Sequence, residues 1–379
     1  MNILFYYITT INPIKGGIAR ITAYLGKYLE KENHKVFYLS LTKENSQNTF
    51  TGKQLHLDPG NKKSIIQKKE AFKDIVNKYQ IDLLIHQSAT TPSQNFIINW
   101  AKENNIKIIS VFHSSLYGIY GIKGRKCTKF IPPKAIDTLD HLSHVLFKFK
   151  YGTAYKELIS KSDRVILLSD KFIDELKYFT NIKNTDKVLA IPNPLTVLSS
   201  TTIKKENILL FVGRLSASKQ VHLLLKVWGK IHLKYPNWSL EIVGDGEERK
   251  KLENSSKKMK LTNIHFRGFQ PPEPFYEKAK IFCMTSAHEG FGLVLVEGMA
   301  NGVVPVAFNS YPNIVDIIDD NINGLLVSPF SINEYTIKTI ELIENENKLN
   351  KMSNKAIAKS KSFQIESIGK TWLHVIKNL

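Results

Sequence analysis

Short apolar runs alternate with longer amphipathic stretches along the whole chain. In the first half the runs lie at Asn2–Ile8, Lys35–Leu41, Ile81–His86, Ile106–His113 and Arg164–Ser169. A second series occupies Ile208–Gly213, Ser239–Gly244, Ile264–Phe269, Ile281–Thr285, Val304–Phe308 and Gly324–Val327. Each run is strand-sized and apolar at successive positions, as strands covered on both faces are. Strand and helix in alternation predict parallel sheets, and two series predict two successive α/β domains. The polar stretch Leu198–Asn207, just after Ile191-Pro192-Asn193-Pro194, reads as the linker. An N-terminal domain is therefore expected over 1–195 and a C-terminal one over 196–362. In the remainder, 363–379, Ile365, Ile368, Trp372, Val375 and Ile376 recur at helical spacing and predict a packing helix.

A length of 379 residues fits two domains, each able to bury its own core. The 53 Lys and Arg against 34 Asp and Glu give a formal charge of +19, which biases partners toward phosphates, nucleic acid or an acidic membrane face. Cys127 and Cys283 lie far apart with no metal-ligand spacing, so a reduced cytoplasmic setting without a zinc site is expected. The opening run Met1–Ile8 lacks a basic lead-in and reads as a buried strand, not a signal peptide. No apolar run approaches the ~18 residues of a membrane span, so any bilayer contact is expected to be peripheral, at the inner face.

Candidate chemistry concentrates in the second series. In His288-Glu289-Gly290-Phe291-Gly292-Leu293-Val294-Leu295-Val296-Glu297-Gly298 two carboxylates bracket a glycine turn, and the apolar run stops at Asn301-Gly302. A loop feeding a helix leaves the N–H groups of Phe291, Gly292 and Leu293 aimed at an anion. Glu297 then lies about one turn inside the helix. Glu289 stays on the approach loop beside Gly290, where a carboxylate accepts hydrogen bonds from neutral hydroxyls but repels phosphate. Upstream, the run Ile208–Val212 ends in Gly213, then Arg214, a polar loop, and Lys219 at the start of a helical pattern. Cations just past the carboxyl end of a parallel strand sit at the ligand crevice of a doubly wound sheet.

The segments Val212-Gly213-Arg214-Leu215 with Lys219, Val243-Gly244-Asp245-Gly246, and Glu289-Gly290-Phe291-Gly292 through Glu297 resemble the retaining glycosyltransferases of glycosyltransferase family 4. Pro13–Arg20 ahead of a helix, and Ile191-Pro192-Asn193-Pro194 as an interdomain crossover, extend the likeness over nearly the whole chain. The resemblance implies a GT-B fold, α/β with two Rossmann-like doubly wound parallel-sheet domains facing a central cleft, and a terminal helix crossing back onto the first domain. It implies a retaining enzyme that moves a sugar from a nucleotide-sugar donor to an acceptor hydroxyl. By that likeness Glu289 contacts donor-sugar hydroxyls, Glu297 holds the ribose, the backbone of Gly17 approaches the diphosphate, and His113 stands against the donor sugar. Ser169, at a strand tip, and Asn193, in the crossover, are weaker candidates, and Gly268 and Phe269, which follow another strand, would border the base. Charge building on the leaving diphosphate needs a metal or protein cations. No Asp-x-Asp pair occurs in the chain, so Arg214 and Lys219 are expected to do this work, with no metal and no cofactor.

Between Glu103 and Asp137 every charge is positive: Lys107, Lys123, Arg125, Lys126, Lys129 and Lys134, interleaved with Tyr117, Tyr120 and Phe130. Phe147, Lys148, Phe149, Lys150 and Tyr151 follow. A solvated loop and ordinary helix packing would explain them. The functional reading is an acceptor-side surface for anionic headgroups or a polyprenyl-pyrophosphate-linked glycan, at roughly 1 kcal/mol per cation near an acidic bilayer. The expected reaction belongs to cell-surface polysaccharide synthesis, with a UDP-sugar preferred over a GDP-sugar. A nucleotide-sugar 2-epimerase would need further acid and base residues. A non-catalytic glycan-binding subunit would be expected to lose Arg214, Lys219 or a glutamate, and all four are present. A nucleic-acid binder leaves the carboxylate element unaccounted for.

Overall fold

The structure is a computed structural model and describes residues 1–14, 16–43, 50–60, 62–121, 133–196 and 204–379, with backbone alone for 133–137. One sheet holds β1 (Asn2–Tyr7), β2 (Lys35–Ser40), β3 (Lys53–His56), β4 (Leu83–His86), β5 (Lys107–Phe112), β6 (Arg164–Leu167) and β7 (Val188–Ala190), in the order β3-β2-β1-β4-β5-β6-β7. The other holds β8 (Ile208–Val212), β9 (Ser239–Val243), β10 (Ile264–Gly268), β11 (Ile281–Met284), β12 (Val304–Phe308) and β13 (Leu325–Val327), in the order β10-β9-β8-β11-β12-β13. All pairings between these strands are parallel. The chain forms two compact units, one of Met1–Tyr120, Leu142–Thr196 and Gln364–Leu379, the other of Gly121–His141 and Val197–Phe363.

Two strands escape the sequence pattern, β3 and β7, and both are sheet edges. An edge strand has one neighbour and less helix cover, so it can form without a continuous apolar run, although the edges β10 and β13 of the other sheet are legible. Lys53-Gln54-Leu55-His56 is partly to fully exposed at every position, and Val188-Leu189-Ala190 is buried only at its first. The central strands β4, β11 and β12 are buried at every residue, which is why their runs are legible.

Each unit closes its own core. In the first, Ile3, Phe5, Leu83, Ile85, Ile109 and Ile166 meet Leu25 and Leu29 of the helix Gly17–Lys31, and the terminal helix Ile365–Lys377 adds Ile368, Trp372, Val375 and Ile376 to the same cluster. In the second, Leu209, Phe211, Leu240, Ile281 and Val306 pack with Leu224 and Trp228 of the helix Val221–Trp228. In both sheets the strand order reverses beside the first strand, between β1 and β4 and between β8 and β11. At such a switch point the connections leave to opposite sides and open a crevice at the carboxyl ends of the strands.

The first sheet also buries two imidazoles at its carboxyl edge. His86 closes β4, is fully buried, stacks on Tyr6 at 5.6 Å, and finds a partner for neither ring nitrogen. His113 follows β5 and is 7% exposed. Burial alone pushes their pKa values down, to about 3 for His86 and about 4 for His113. Both are therefore neutral when folded, whereas the unfolded chain protonates them below the ordinary value of about 6.5. Their contribution to stability is complete above that value and is lost as the pH falls toward 4, because the unfolded state then binds more protons. At pH 4.5 the loss amounts to about 2–3 kcal/mol per histidine. Denaturant unfolding of His86→Leu at pH 7 and 4.5 should show a stability difference smaller than that of the parent chain by this amount; an unchanged difference refutes the assignment. Trp372→Ala should lower the unfolding free energy of the first unit by about 3–5 kcal/mol, read from the same titrations.

Candidate functional site

The switch point of the second sheet gathers most of the predicted residues. After β8 the chain runs through Gly213, Arg214, Leu215 and Ser216 into a 3-10 turn at Ala217–Lys219. The loops beyond β8, β9 and β10 are stitched in a row: Gly213 N–H donates to Val243 O (3.0 Å), Leu215 N–H to Asp245 O (2.9 Å), and Gly244 N–H to Gly268 O (2.8 Å). This layering requires glycine at 244, where φ is 136° and a Cβ would stand 2.0 Å from Gly213 O. The Val243–Gly246 motif is thus the bed on which the Arg214 loop lies.

Beyond β11 the loop Thr285–Glu289 closes on the same 3-10 turn. Thr285 Oγ1 donates to Lys219 O (2.9 Å) and Ala287 N–H to Ser218 O (2.8 Å). These bonds bring Lys219 Nζ to 2.5 Å from Glu289 Oε1, which also accepts from Ser286 Oγ at 2.6 Å. The ion pair is partly buried, with the lysine side chain 22% and the glutamate 11% exposed. Arg214 does not join it. Its guanidinium is 74% exposed and faces Glu247 at 3.3 Å, because its own loop turns it toward the β9 side.

The helix Leu293–Ala300 begins after Gly292, whose φ of 87° is a left-handed conformation that favours glycine. Leu295 N–H is taken by Gly292 O, whereas the N–H groups of Phe291, Gly292 and Leu293 donate to no acceptor among the described residues. The turn is held from behind by the loop after β12. Asn313 Nδ2 donates to Gly290 O at 3.1 Å and Ser310 Oγ to Ser286 O at 2.6 Å. Tyr311 OH and Asn313 Oδ1 are buried there without partners. Burial, and then the nearby Glu289 carboxylate, push the Tyr311 hydroxyl pKa well above its usual range. Glu297 is 1% exposed and accepts from Tyr276 OH at 2.9 Å. Phe269 projects from the end of β10 and is 71% exposed.

The remaining predicted residues belong to the first unit. His113 Nε2 and Gln87 Oε1, from the ends of β5 and β4, lie 2.5 Å apart, so the imidazole donates from Nε2 and leaves buried Nδ1 unpartnered. Gln87, His113, Asn193 and Trp372 line one narrow pocket. Gly17 opens its helix, and a Cβ there would meet no protein atom within 4 Å, so packing does not call for glycine at this position. Ser169, also at a strand end, caps the following turn by accepting from Lys171 N–H. Lys123, Arg125, Lys126, Lys129 and Phe130 lie outside the described residues, as does the side chain of Lys134. Ser286, Asn313, Tyr276, Gln87 and Glu247 went unseen in the sequence. Ser286 and Gln87 follow strands and could have been found by position; Tyr276 and Glu247 meet their partners only through the fold. Among the described residues no three His, Cys, Asp or Glu side chains gather to hold a metal ion, and no helix is long and apolar enough to cross a membrane.

Residues 15–197 match the family model for Glycosyltransferase Family 4, and residues 198–359 that for Glycosyl transferases group 1. An uncharacterized glycosyltransferase of Haemophilus influenzae is 33% identical over 225 residues, which cover 58% of this chain and 62% of the relative. The Campylobacter jejuni GalNAc-alpha-(1->4)-GalNAc-alpha-(1->3)-diNAcBac-PP-undecaprenol alpha-1,4-N-acetyl-D-galactosaminyltransferase is 33% identical over 180 residues, covering 46% of this chain and 49% of the relative. The chain thus spans less than two thirds of the length of either. Anabaena HepE, solved in complex with UDP and glucose, has a TM-score of 0.76 at 16% identity, with 100% of both chains covered. That likeness shows the fold to be GT-B. With one family model on each half and the glycine loops of both motifs at the strand tips, the chain belongs to the group 1 glycosyltransferases of glycosyltransferase family 4.

Proposed function

We propose that this protein is a retaining, metal-independent glycosyltransferase. It moves a sugar from a UDP-sugar, in preference to a GDP-sugar, to a hydroxyl of a glycan or polyprenyl-pyrophosphate-linked acceptor in cell-surface polysaccharide synthesis. The observation that carries this reading is the Lys219–Glu289 pair beside the unpartnered amides of Phe291, Gly292 and Leu293. A diphosphate seated on those amides competes with Glu289 for the ammonium. As Lys219 swings to phosphate, the carboxylate is released to accept hydrogen bonds from sugar hydroxyls, still oriented by Ser286. One movement therefore prepares the leaving-group contact and the sugar contact together.

In the transfer the bond from the anomeric carbon to the diphosphate oxygen breaks with its electron pair. A bond to the acceptor oxygen forms on the same face, and the acceptor proton goes to a phosphate oxygen. Lys219, Arg214 once turned from Glu247, and the amides stabilise the developing charge. Glu297, fixed by Tyr276, is assigned to the ribose; from the first unit Gly17 is assigned to the diphosphate, and His113, neutral by burial, to a sugar hydroxyl. The family likeness supports retention, the uridine nucleotide bound by Anabaena HepE supports a UDP-sugar, and the undecaprenol-linked acceptor in the Campylobacter enzyme's name supports a lipid-linked glycan.

A thermal-shift panel of nucleotide sugars tests the reading. The true donor at ~100 times its dissociation constant should add about 2.7 kcal/mol of stability. A chain that no nucleotide sugar stabilises refutes it. Lys219→Ala should lower turnover about 10²–10³-fold in a transfer assay, the range found for removing one preorganised charge-stabilising group. Saturating chelator should leave the parent rate unchanged, and loss of activity that added divalent metal restores would overturn metal independence.

A further inference from the structure

Two imidazoles lie at the carboxyl ends of neighbouring strands in the first sheet, and they are held differently. His86, the last residue of β4, has no partner on either ring nitrogen among the described residues. His113 follows β5; its Nε2 meets Gln87 Oε1 at 2.5 Å, and its Nδ1 is buried with no partner among the described residues. Gln87 follows β4 directly, is 1% exposed, and has its backbone fixed by N–H donation to Tyr6 O at 2.9 Å. Burying a carboxamide costs free energy unless it finds a partner, and the imidazole supplies one.

A carboxamide oxygen can only accept, so Nε2 carries the proton of the neutral ring and Nδ1 keeps a lone pair. Burial lowers the pKa of His113 to about 4, so near neutral pH the ring offers an acceptor and no positive charge. Asn193, Pro192, Leu168 and Trp372 line the same narrow pocket, and no Asp, Glu, Lys or Arg side chain among the described residues lines it. An O–H of a ligand satisfies a nitrogen of this kind. A group that only accepts, such as a carboxylate oxygen or a fluorine, has no hydrogen to offer it and meets no cation there.

We propose that Gln87 is a positioning residue that fixes the tautomer and orientation of His113, so that the site selects a donor sugar whose free hydroxyl gives its proton to Nδ1. The inference rests on the assignment of His113 to a sugar hydroxyl and gives that contact a direction: the hydroxyl donates and the ring accepts. Gln87 acts through the imidazole and makes no contact with the sugar itself. The tautomer can be read without any sugar present.

Nitrogen NMR of the full chain labelled at histidine, with His113→Phe to identify the signals, should show Nδ1 of His113 unprotonated and Nε2 protonated. Calorimetric titration then uses the UDP-hexose that the thermal-shift panel selects, its monodeoxy and deoxyfluoro analogues, and UDP alone. Removing one particular hydroxyl should weaken binding about 5–10-fold, and replacing it by fluorine should weaken it equally, because fluorine cannot donate. Gln87→Leu should weaken the parent UDP-hexose by a similar factor, leave UDP alone unaffected, and add nothing further in a His113→Phe background. The proposal is overturned if Nδ1 carries the proton, if no monodeoxy analogue loses affinity, or if the fluoro analogue of the critical hydroxyl binds like the parent sugar. An equal loss from Gln87→Leu with and without His113 also overturns it, since the glutamine would then not act through the ring. A chain that binds neither UDP nor any UDP-hexose refutes the donor site instead, and the nitrogen signals still decide the tautomer.

Discussion

The second unit is organised around one ion pair formed across the switch point of its sheet. Lys219 arrives from the β8 side and Glu289 from the β11 side, and these strands are neighbours only because the strand order reverses there. Two crossing bonds, Thr285 to Lys219 O and Ala287 N–H to Ser218 O, fix the backbones before the side chains meet. Partial burial matters to the outcome. Removing one partner of a well-buried pair leaves an uncompensated charge at a cost of about 3–5 kcal/mol, whereas a fully exposed pair contributes almost nothing. This pair, with side chains 22% and 11% exposed, lies between those limits.

Around that contact the chain spends its glycines and small polar residues on backbone placement. Gly244 lets the β9 loop press on the β8 loop, and Gly292 turns the chain so that three amides precede the helix carrying Glu297. Ser286, Ser310 and Asn313 hold the intervening turn through hydroxyl and amide bonds. Tyr311 OH and Asn313 Oδ1 are buried there and unpartnered, which is uncommon in a folded interior. Arg214, paired at the surface with Glu247, is the exposed cation of the set, and Lys219 the more deeply held one.

From Leu142 onward the long helix Pro133–Lys161 belongs to the first unit and shows the same economy. Its aromatic residues divide by helical phase, with Phe147, Tyr151 and Tyr155 turned into the ring cluster around Tyr120 and Phe149 turned out. Residues adjacent in sequence therefore differ completely in environment. At the sheet edge nearby, Glu175 is buried and accepts from Ser115 Oγ and Tyr117 N–H, which fixes the start of the short helix Leu116–Tyr120; burial raises its carboxyl pKa to about 7.

Periodicity alone determined eleven of the strands, because a strand covered on both faces must be apolar at nearly every position. It missed β3 and β7, whose half-covered edges leave no such run. Local chemistry likewise placed Lys219, Glu289 and the amide-bearing turn at strand ends, since glycine, cation and carboxylate types report a loop. What tertiary structure decided is pairing: that Lys219 meets Glu289 while Arg214 turns to Glu247, that Tyr276 holds Glu297, that Gln87 holds His113, and that Phe149 faces solvent. Those partners are distant in sequence or set by helical phase, and only the order of strands and the closing of each core bring them within hydrogen-bonding range.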